Sequence, residues 1–286
     1  MLLRASLALA LAALPVTAVA QEAGQLAQAA PQAPAAHKQT LALKAQFDDK
    51  GAVIPAGVIW RVFAARNDET GNLPVVAESN DAEPQFALDP GTYVVNATYG
   101  LAATTRRVEV GAKPVTEMFL LKAGGLQISA TINGKLLPAG QLSSRIMSVL
   151  PNGDRRLIGE GIAADAVLRL PEGQYFVECT YGDSNAVASA EVTILAGKLT
   201  DARFRQNAAT LTLKLVSQTG GEAIANTSWS VLTPGGDVIR ESIGAFPVMI
   251  LAEGNYTVVA RHDGRVYTRE FDVKSGLDQD VELIAK

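Results

Sequence analysis

Gly173-Gln174-Tyr175-Phe176-Val177 is one of three copies of a short motif in this chain. The other copies are Gly91-Thr92-Tyr93-Val94-Val95 and Gly254-Asn255-Tyr256-Thr257-Val258, so the motif tyrosines lie 82 and 81 residues apart. In each copy a glycine stands two residues before a tyrosine that opens an alternating apolar run. Repetition at a fixed period indicates a tandem array. A period of this length is that of a small domain.

The first strand of each unit repeats as well. Leu41-Ala42-Leu43, Leu126-Gln127-Ile128 and Leu211-Thr212-Leu213 recur every 85 residues. Apolar residues alternate within the units, which is the period of a half-buried strand, and no segment after residue 20 sustains a helical period over three turns. Proline and glycine separate about six or seven short strands in each unit. The pattern predicts an all-β chain of three tandem immunoglobulin-like β-sandwiches.

The organisation along the chain follows from these repeats. Residues 1–20 read as a secretory signal peptide, because Arg4 precedes a Leu- and Ala-rich stretch that ends in Ala18-Val19-Ala20, a small-x-small cleavage site. Residues 21–39 are rich in Ala, Gln and Pro and are predicted to be a disordered leader. The three sandwich repeats are then predicted at residues 40–123, 124–207 and 208–286. A membrane anchor is the alternative for residues 1–20, but the apolar stretch is short for a span.

Charge and cysteine content argue against a nucleic-acid-binding protein and against a disulfide-stabilised one. The net charge is −4 and basic residues occur in pairs such as Arg106-Arg107 rather than in runs, which disfavours nucleic acid as a partner. The chain has one cysteine, so no intrachain disulfide can form. The stability of these small domains must therefore come from packing.

The block Leu88-Asp89-Pro90-Gly91-Thr92-Tyr93-Val94-Val95, with its copy at residues 170–177, resembles the L-P-x-G-x-Y-x-V stretch of carboxypeptidase-regulatory-like and Cna-B-type domains. Those domains are transthyretin-like β-sandwiches that serve as stalks, spacers and binding modules on bacterial surfaces. The resemblance covers the second half of each repeat best. It implies a transthyretin-like sandwich for each repeat and supports a fold more than a role.

Some Cna-B-type domains contain a Lys–Asn isopeptide bond that a buried acid catalyses. Lys44 lies in the first strand of repeat one, but Ala97, Cys179 and Ala260 stand four residues after the motif tyrosines, where the resemblance would place that acid. An amide does not form readily without a group to transfer the proton. We therefore expect no isopeptide crosslink.

Cys179 and His262 are the residues of the repeats that invite a catalytic interpretation. Cys179 shares a strand face with Tyr175 and Val177 and replaces an alanine of the other copies, so we expect a small buried hydrophobe. An exposed thiol that pairs with another chain is the alternative. His262 stands where Tyr99 and Tyr181 stand, which favours a packing and capping residue over a general base. The other histidine, His37, lies in the leader.

No metal or cofactor is expected. The acidic turns Asp48-Asp49-Lys50-Gly51 and Asn67-Asp68-Glu69-Thr70-Gly71 could offer oxygens to calcium. They lack the ligand order of a calcium loop, and hairpin turns require such residues in any case. One histidine and one cysteine in the repeats do not make a zinc site. No nucleophile elbow or phosphate-binding loop is present in the sequence.

The motif residues Gly91, Tyr93, Gly173, Tyr175, Gly254 and Tyr256 are predicted to be structural. A tyrosine after a turn can bury its ring while its hydroxyl binds an upstream backbone group, as in a tyrosine corner. An aromatic platform for a ligand is the alternative. Trp60 and Trp229 are predicted core residues, with Met147 in their place in repeat two.

Glu178 and Arg261 are the candidate partner-binding residues. They lie on the outward face of the motif strand, where the copies diverge while the inward face repeats. Specialised contacts produce this pattern, and so does relaxed constraint at exposed positions. Unpaired strand edges are a second place for a partner to bind.

From the resemblance and the repeats we expect a non-enzymatic, exported modular protein of the bacterial cell envelope. It would lie in the periplasm or be secreted after cleavage near Ala20, with no transmembrane segment in the mature chain. Its partners would be other cell-envelope proteins or surface polymers. The alternatives are a periplasmic carbohydrate- or lipid-binding protein and an accessory subunit of an envelope enzyme.

Overall fold

The computed structural model describes residues 37–67 and 71–286. The predicted signal peptide and residues 21–36 of the predicted leader lie outside the described residues. The described part consists of 22 strands and one 3₁₀ turn at Ala139–Gln141, so the prediction of an all-β chain is confirmed. None of its helical segments is long and apolar enough to cross a membrane.

The first sandwich is built from two sheets. Its strands are β1 (Gln39–Gln46), β2 (Ile59–Ala64), β3 (Val75–Ser79), β4 (Gln85–Leu88), β5 (Gly91–Tyr99), β6 (Ala102–Val110) and β7 (Val115–Leu120). One sheet has the strand order β4-β1-β7 and the other β3-β2-β5-β6. Strands β1 and β7 are parallel, and the remaining neighbours are antiparallel.

The second and third sandwiches repeat this arrangement. The strands of the second are β8 (Ala123–Ile132), β9 (Lys135–Leu136), β10 (Leu142–Val149), β11 (Arg155–Ala163), β12 (Leu168–Pro171), β13 (Gly173–Tyr181), β14 (Val187–Ile194) and β15 (Leu199–Arg205). Those of the third are β16 (Ala208–Val216), β17 (Ser228–Leu232), β18 (Val238–Ile243), β19 (Val248–Ala252), β20 (Gly254–His262), β21 (Arg265–Val273) and β22 (Gln279–Ile284).

The sheet orders show the repetition directly. They are β12-β8-β15 with β11-β10-β13-β14, and β19-β16-β22 with β18-β17-β20-β21. Short β9 pairs with β8 and has no counterpart in the described strands of the other sandwiches. The predicted tandem all-β sandwiches are therefore confirmed, while the domain limits at residues 40–123, 124–207 and 208–286 stay predictions.

The alternation read from the sequence decides which side chains are buried. In β13, Tyr175, Val177 and Cys179 are buried while Phe176 and Glu178 are not. Because successive side chains of a strand point to opposite faces, one sheet face lines the core. Each sandwich has its own apolar core of this kind, and the core of the second also includes Ala208 and Ile250 from strands of the third.

The prediction that Met147 takes the place of the tryptophan in the second sandwich is wrong. Trp60 and Trp229 are fully buried, as predicted, and lie opposite Ala97 and Ala260. In the second sandwich the residue opposite Cys179 is Ser144, whereas Met147 lies three residues further along β10. Period-two alternation does not fix the register between repeats whose loops differ in length.

Candidate functional site

The three motif tyrosines share one hydrogen bond. Each hydroxyl donates to the carbonyl oxygen of the residue four positions upstream, in the turn before the strand. The pairs are Tyr93 with Asp89 at 2.8 Å, Tyr175 with Pro171 at 2.8 Å and Tyr256 with Ala252 at 3.0 Å. Burial raises the pKa of the Tyr175 hydroxyl, and the Arg156 charge offsets part of that rise. For Tyr93, burial and then the Asp89 carboxylate raise the pKa.

The motif glycines lie under these rings. A Cβ on Gly91, Gly173 or Gly254 would stand 3.7–3.8 Å from the Cε2 atom of the tyrosine two residues later, which is ordinary contact. Tyr175 and Tyr256 are only 4% and 6% exposed. Rings so buried offer no free face to a ligand.

Glu178 lies in a network of charges on the outer face of the second sandwich. Its Oε2 is 3.9 Å from Nη1 of Arg145, whose Nε is 3.8 Å from Oε2 of Glu160. On the same face, the Arg155 guanidinium lies 3.4 Å from the centroid of the Phe176 ring. Exposed ion pairs contribute little to stability, so this face is free to vary in sequence.

Arg261 lies on the outer face of the third sandwich, so the structure does not bring it together with Glu178. It is exposed on β20 between Ser228 of β17 and Val266 of β21. These two residues beside Arg261 are uncharged, whereas Glu178 lies beside the charged Arg145. The outer faces therefore present different surfaces on similar scaffolds.

Cys179 is buried and unpaired, which confirms its prediction as a core residue. Its backbone carbonyl oxygen accepts a hydrogen bond from Nε2 of Gln206 at 2.7 Å. Burial raises the pKa of the thiol, and the nearby Ser144 hydroxyl and Gln206 amide lower it by less. Because the thiolate is the reactive form, this environment disfavours nucleophilic chemistry.

His262 ends strand β20. Its Nε2 is 3.2 Å from a carboxylate oxygen of Asp263, and its Nδ1 is buried without a hydrogen-bond partner in the described part of the chain. In the acidic turn at residues 48–51, which could offer oxygens to calcium, the Asp48 carboxylate accepts a hydrogen bond from the Lys50 backbone N–H at 2.9 Å. Residues 68–70 of the other acidic turn lie outside the described residues, among which no cluster of three metal-ligating groups is found.

The sequence indicates short joints at residues 122–125 and 205–208, but sequence reasoning missed the contacts that the sandwiches make there. At the first joint, Gly100 in the β5–β6 turn lies on β12 of the next sandwich, and Leu101 N–H donates to the Arg169 carbonyl oxygen at 2.9 Å. Gly100 has φ +62°, and a Cβ there would stand 2.5 Å from Cβ of Arg169. Only glycine fits this close approach.

The second joint uses the equivalent positions. Gly182 follows Tyr181 as Gly100 follows Tyr99, and its nearest neighbour is Ile250 of β19, at 2.9 Å from an added Cβ. Ile250 and Arg169 are equivalent, because each directly precedes a buried leucine of the strand that pairs with the first strand of its sandwich.

A longer β13–β14 turn adds polar contacts to the second joint. Nδ2 of Asn185 donates to the Tyr256 hydroxyl at 2.8 Å, and its Oδ1 accepts from the Ala252 backbone N–H at 3.0 Å. Asp183 pairs with Arg240 at 2.6 Å. The motif tyrosine of the third sandwich is thus bound to the second one.

An open groove of about 780 Å³ lies beside this joint. Asn255, Thr257, Glu270 and Asp272 are among the polar residues that line it. Its aromatic residues, Tyr256 and Phe271, are 6% and 9% exposed, so they lie in the wall as core residues.

Comparison with known proteins gives one family and several solved structures. Residues 210–285 match the family model described as "Rhizobiales growth-associated tandem repeat domain". This segment is less than half of the chain. No protein in the curated set matches the sequence.

The solved structures are similar at low identity. The Bacillus anthracis TIE protein is 17% identical with a TM-score of 0.24 over 87% of this chain, which spans 50% of that protein. The major pilin subunit of Bacillus cereus is 12% identical with a TM-score of 0.25, over 87% and 100% of the two chains. The minor pilin of Streptococcus agalactiae is 12% identical with a TM-score of 0.29, over 59% and 95%. TM-scores this low establish no shared function.

Proposed function

We propose that this protein is a non-enzymatic, exported module of the bacterial cell envelope that serves a structural or protein-interaction role. The two equivalent joints support the proposal most. Each joint places a glycine turn against the next sandwich, Gly100 on the Arg169 backbone and Gly182 on the Ile250 side chain. The second joint adds two hydrogen bonds that Asn185 makes with the third sandwich. Domains joined in this way hold their outer faces in a fixed relation, which suits a spacer or a scaffold.

The matching family is described as growth-associated. A growing bacterial cell must enlarge its envelope, and a structural module of the envelope fits that requirement. We place the protein in the periplasm, or outside the cell, after cleavage near Ala20. We also retain the transthyretin-like type for each sandwich, on the strength of the motif around Tyr93 and Tyr175.

Carbohydrate binding is the weaker candidate. The groove beside Asn185 is polar and large enough for a sugar, but the rings of Tyr256 and Phe271 are buried in its wall. A module with distinct outer faces fits the arrangement of exposed residues better. We propose that partners bind at these faces, around Glu178 and Arg261.

Charge reversal tests the proposed interaction role. The full mature chain is used to capture proteins from envelope fractions, each captured protein is identified and purified, and its affinity is then measured directly. Glu178→Lys and Arg261→Glu are expected to lower the affinity for at least one purified partner about tenfold, because each removes a charge-assisted contact. Neither variant should shift the melting temperature appreciably, because both sites are on the outer faces.

Glu222→Lys and Lys286→Glu are matched controls, since both residues are exposed and lie away from those faces. They should leave affinity unchanged. If both reversals at Glu178 and Arg261 leave every purified partner bound as tightly as before, the outer faces are not the interaction surface.

A further inference from the structure

The first joint contains a small cavity that is open to solvent. The second joint has different residues at the equivalent positions. The volume of the cavity is about 230 Å³. Phe47 and Tyr99 come from the first sandwich, and Gly125, Arg169 and Lys198 from the second. The lining therefore combines two aromatic rings with two cationic side chains.

The guanidinium of Arg169 is held in position by the first sandwich. Its Cζ lies 4.5 Å from the centroid of the Tyr99 ring, which itself packs edge-on against Phe47 at 5.2 Å. An added Cβ on Gly57 would stand 3.2 Å from Nη1 of Arg169, so the guanidinium is confined between Gly57 and Tyr99. A guanidinium fixed in this way loses little freedom when it binds an anion.

Neither cation of the cavity is neutralised by the protein. Within residues 37–67 and 71–286, no carboxylate forms an ion pair with Arg169 or Lys198. Leu199 and Val167, which also line the cavity, are 58% and 53% exposed. The cavity thus combines an apolar wall with two unpaired positive charges.

The second joint shows what these positions hold when no charge is present. The equivalents of Arg169 and Lys198 are Ile250 and Leu277, by the register of the strands around them. The equivalent of Gly125 is Thr210, whose N–H donates to Asp278 at 2.8 Å. Packing two sandwiches together therefore requires neither the cations nor the glycine.

We propose that this cavity binds a small monocarboxylate with an aromatic or apolar body. The carboxylate would pair with Arg169 and Lys198, and the body would lie against Phe47 and Leu199. A guanidinium forms charge-assisted hydrogen bonds with a carboxylate, often two at once, and the apolar wall suits a ligand with an apolar body. The volume equals that of about eight water molecules at roughly 30 Å³ each, which suits a ligand of about one ring and its acid group.

Benzoate is the first probe, titrated into the full mature chain labelled with ¹⁵N. The amide signals of Gly125, Gly197 and Leu199 are expected to shift with a Kd of about 1–10 mM, given the few atoms of the probe. Benzamide has the same shape without the charge, and inorganic phosphate has charge without the apolar body. Both are expected to bind at least about tenfold more weakly.

Two variants separate binding from folding. Lys198→Leu introduces the residue type found at the second joint and should weaken benzoate about tenfold while the remaining spectrum is preserved. Gly125→Thr places a side chain where an added Cβ already stands 2.9 Å from Leu199 Cδ1, so it should abolish binding by filling the cavity. Lys135→Leu, on short β9, is the matched control and should leave the titration unchanged.

The proposal is overturned if benzoate causes no saturable shift at the joint. It is also overturned if benzamide or phosphate binds as tightly as benzoate, or if Lys198→Leu and Gly125→Thr both bind like the parent chain. Because this test uses purified protein and no envelope partner, its result is independent of the proposed interaction role.

Discussion

Replacing Tyr175 with alanine is expected to lower the free energy of unfolding of the second sandwich by about 3–5 kcal/mol. The ring is 4% exposed within the core of that sandwich, and its removal leaves a cavity beside Val177. Loss of the hydroxyl also removes the 2.8 Å hydrogen bond that Tyr175 donates to the Pro171 carbonyl oxygen. A loss of this size is a large fraction of the stability of a small domain. Equilibrium unfolding in denaturant, followed by amide signals of β13, measures it.

Tyr175→Phe is the matched control, because it keeps the ring and removes only the hydroxyl. Its expected cost is about 1 kcal/mol, the net value of one hydrogen bond. A loss below about 1 kcal/mol for Tyr175→Ala would place the ring outside the core and restore the hypothesis of a ligand platform.

Replacing Trp229 with alanine is expected to destabilise the third sandwich by a similar amount, about 3–5 kcal/mol. Trp229 is 1% exposed, and its Nε1 donates to the Gly244 carbonyl oxygen at 2.8 Å. Thermal and denaturant unfolding of the full chain should show an early transition confined to residues of β16–β22. Unfolding at the parent midpoint would contradict the assignment of Trp229 as the centre of this core.

Ser144→Ala makes the contrasting change at the equivalent position of the second sandwich. The Ser144 hydroxyl is buried with no hydrogen-bond partner of ordinary geometry among the described residues. Removing it should leave stability unchanged or raise it by up to about 1 kcal/mol. These results would show that the side chain at this position determines the stability of the third sandwich but not that of the second.

The fold was predictable because its signals are local. The motif around Tyr93, Tyr175 and Tyr256 repeats at a domain-sized period, and strand alternation shows which side chains face the core. The burial of Cys179 followed from the same alternation. These features depend on neighbours in the sequence, so one sequence was enough to find them.

The register of repeat two and the contacts at both joints could not be predicted from the sequence. Ser144, rather than Met147, lies opposite Cys179 because β10 pairs three residues earlier than the apolar pattern suggests. The contacts of Gly100 with Arg169 and of Asn185 with Tyr256 join residues about 70 positions apart. Such contacts depend on how one sandwich packs on the next, and no local pattern specifies that packing.

The candidate site was predictable only in part. Glu178 and Arg261 were chosen because the outward face of the motif strand diverges, and both lie on outer faces of the sheets. The cavity at the first joint could not be recognised, because its lining comes from residues as distant as Phe47 and Lys198. Its two cations, Arg169 and Lys198, stand where the second joint has apolar side chains.

Residual dipolar couplings of the amides report whether the joints hold the three sandwiches as one structural module. A single alignment tensor should fit the couplings of all three sandwiches in the parent chain. In Gly100→Ala the first sandwich should require its own tensor, because a Cβ there would stand 2.5 Å from Arg169. The second and third sandwiches should still share one. Three different tensors in the parent chain would mean that the sandwiches move independently and that the joints do not form a rigid module.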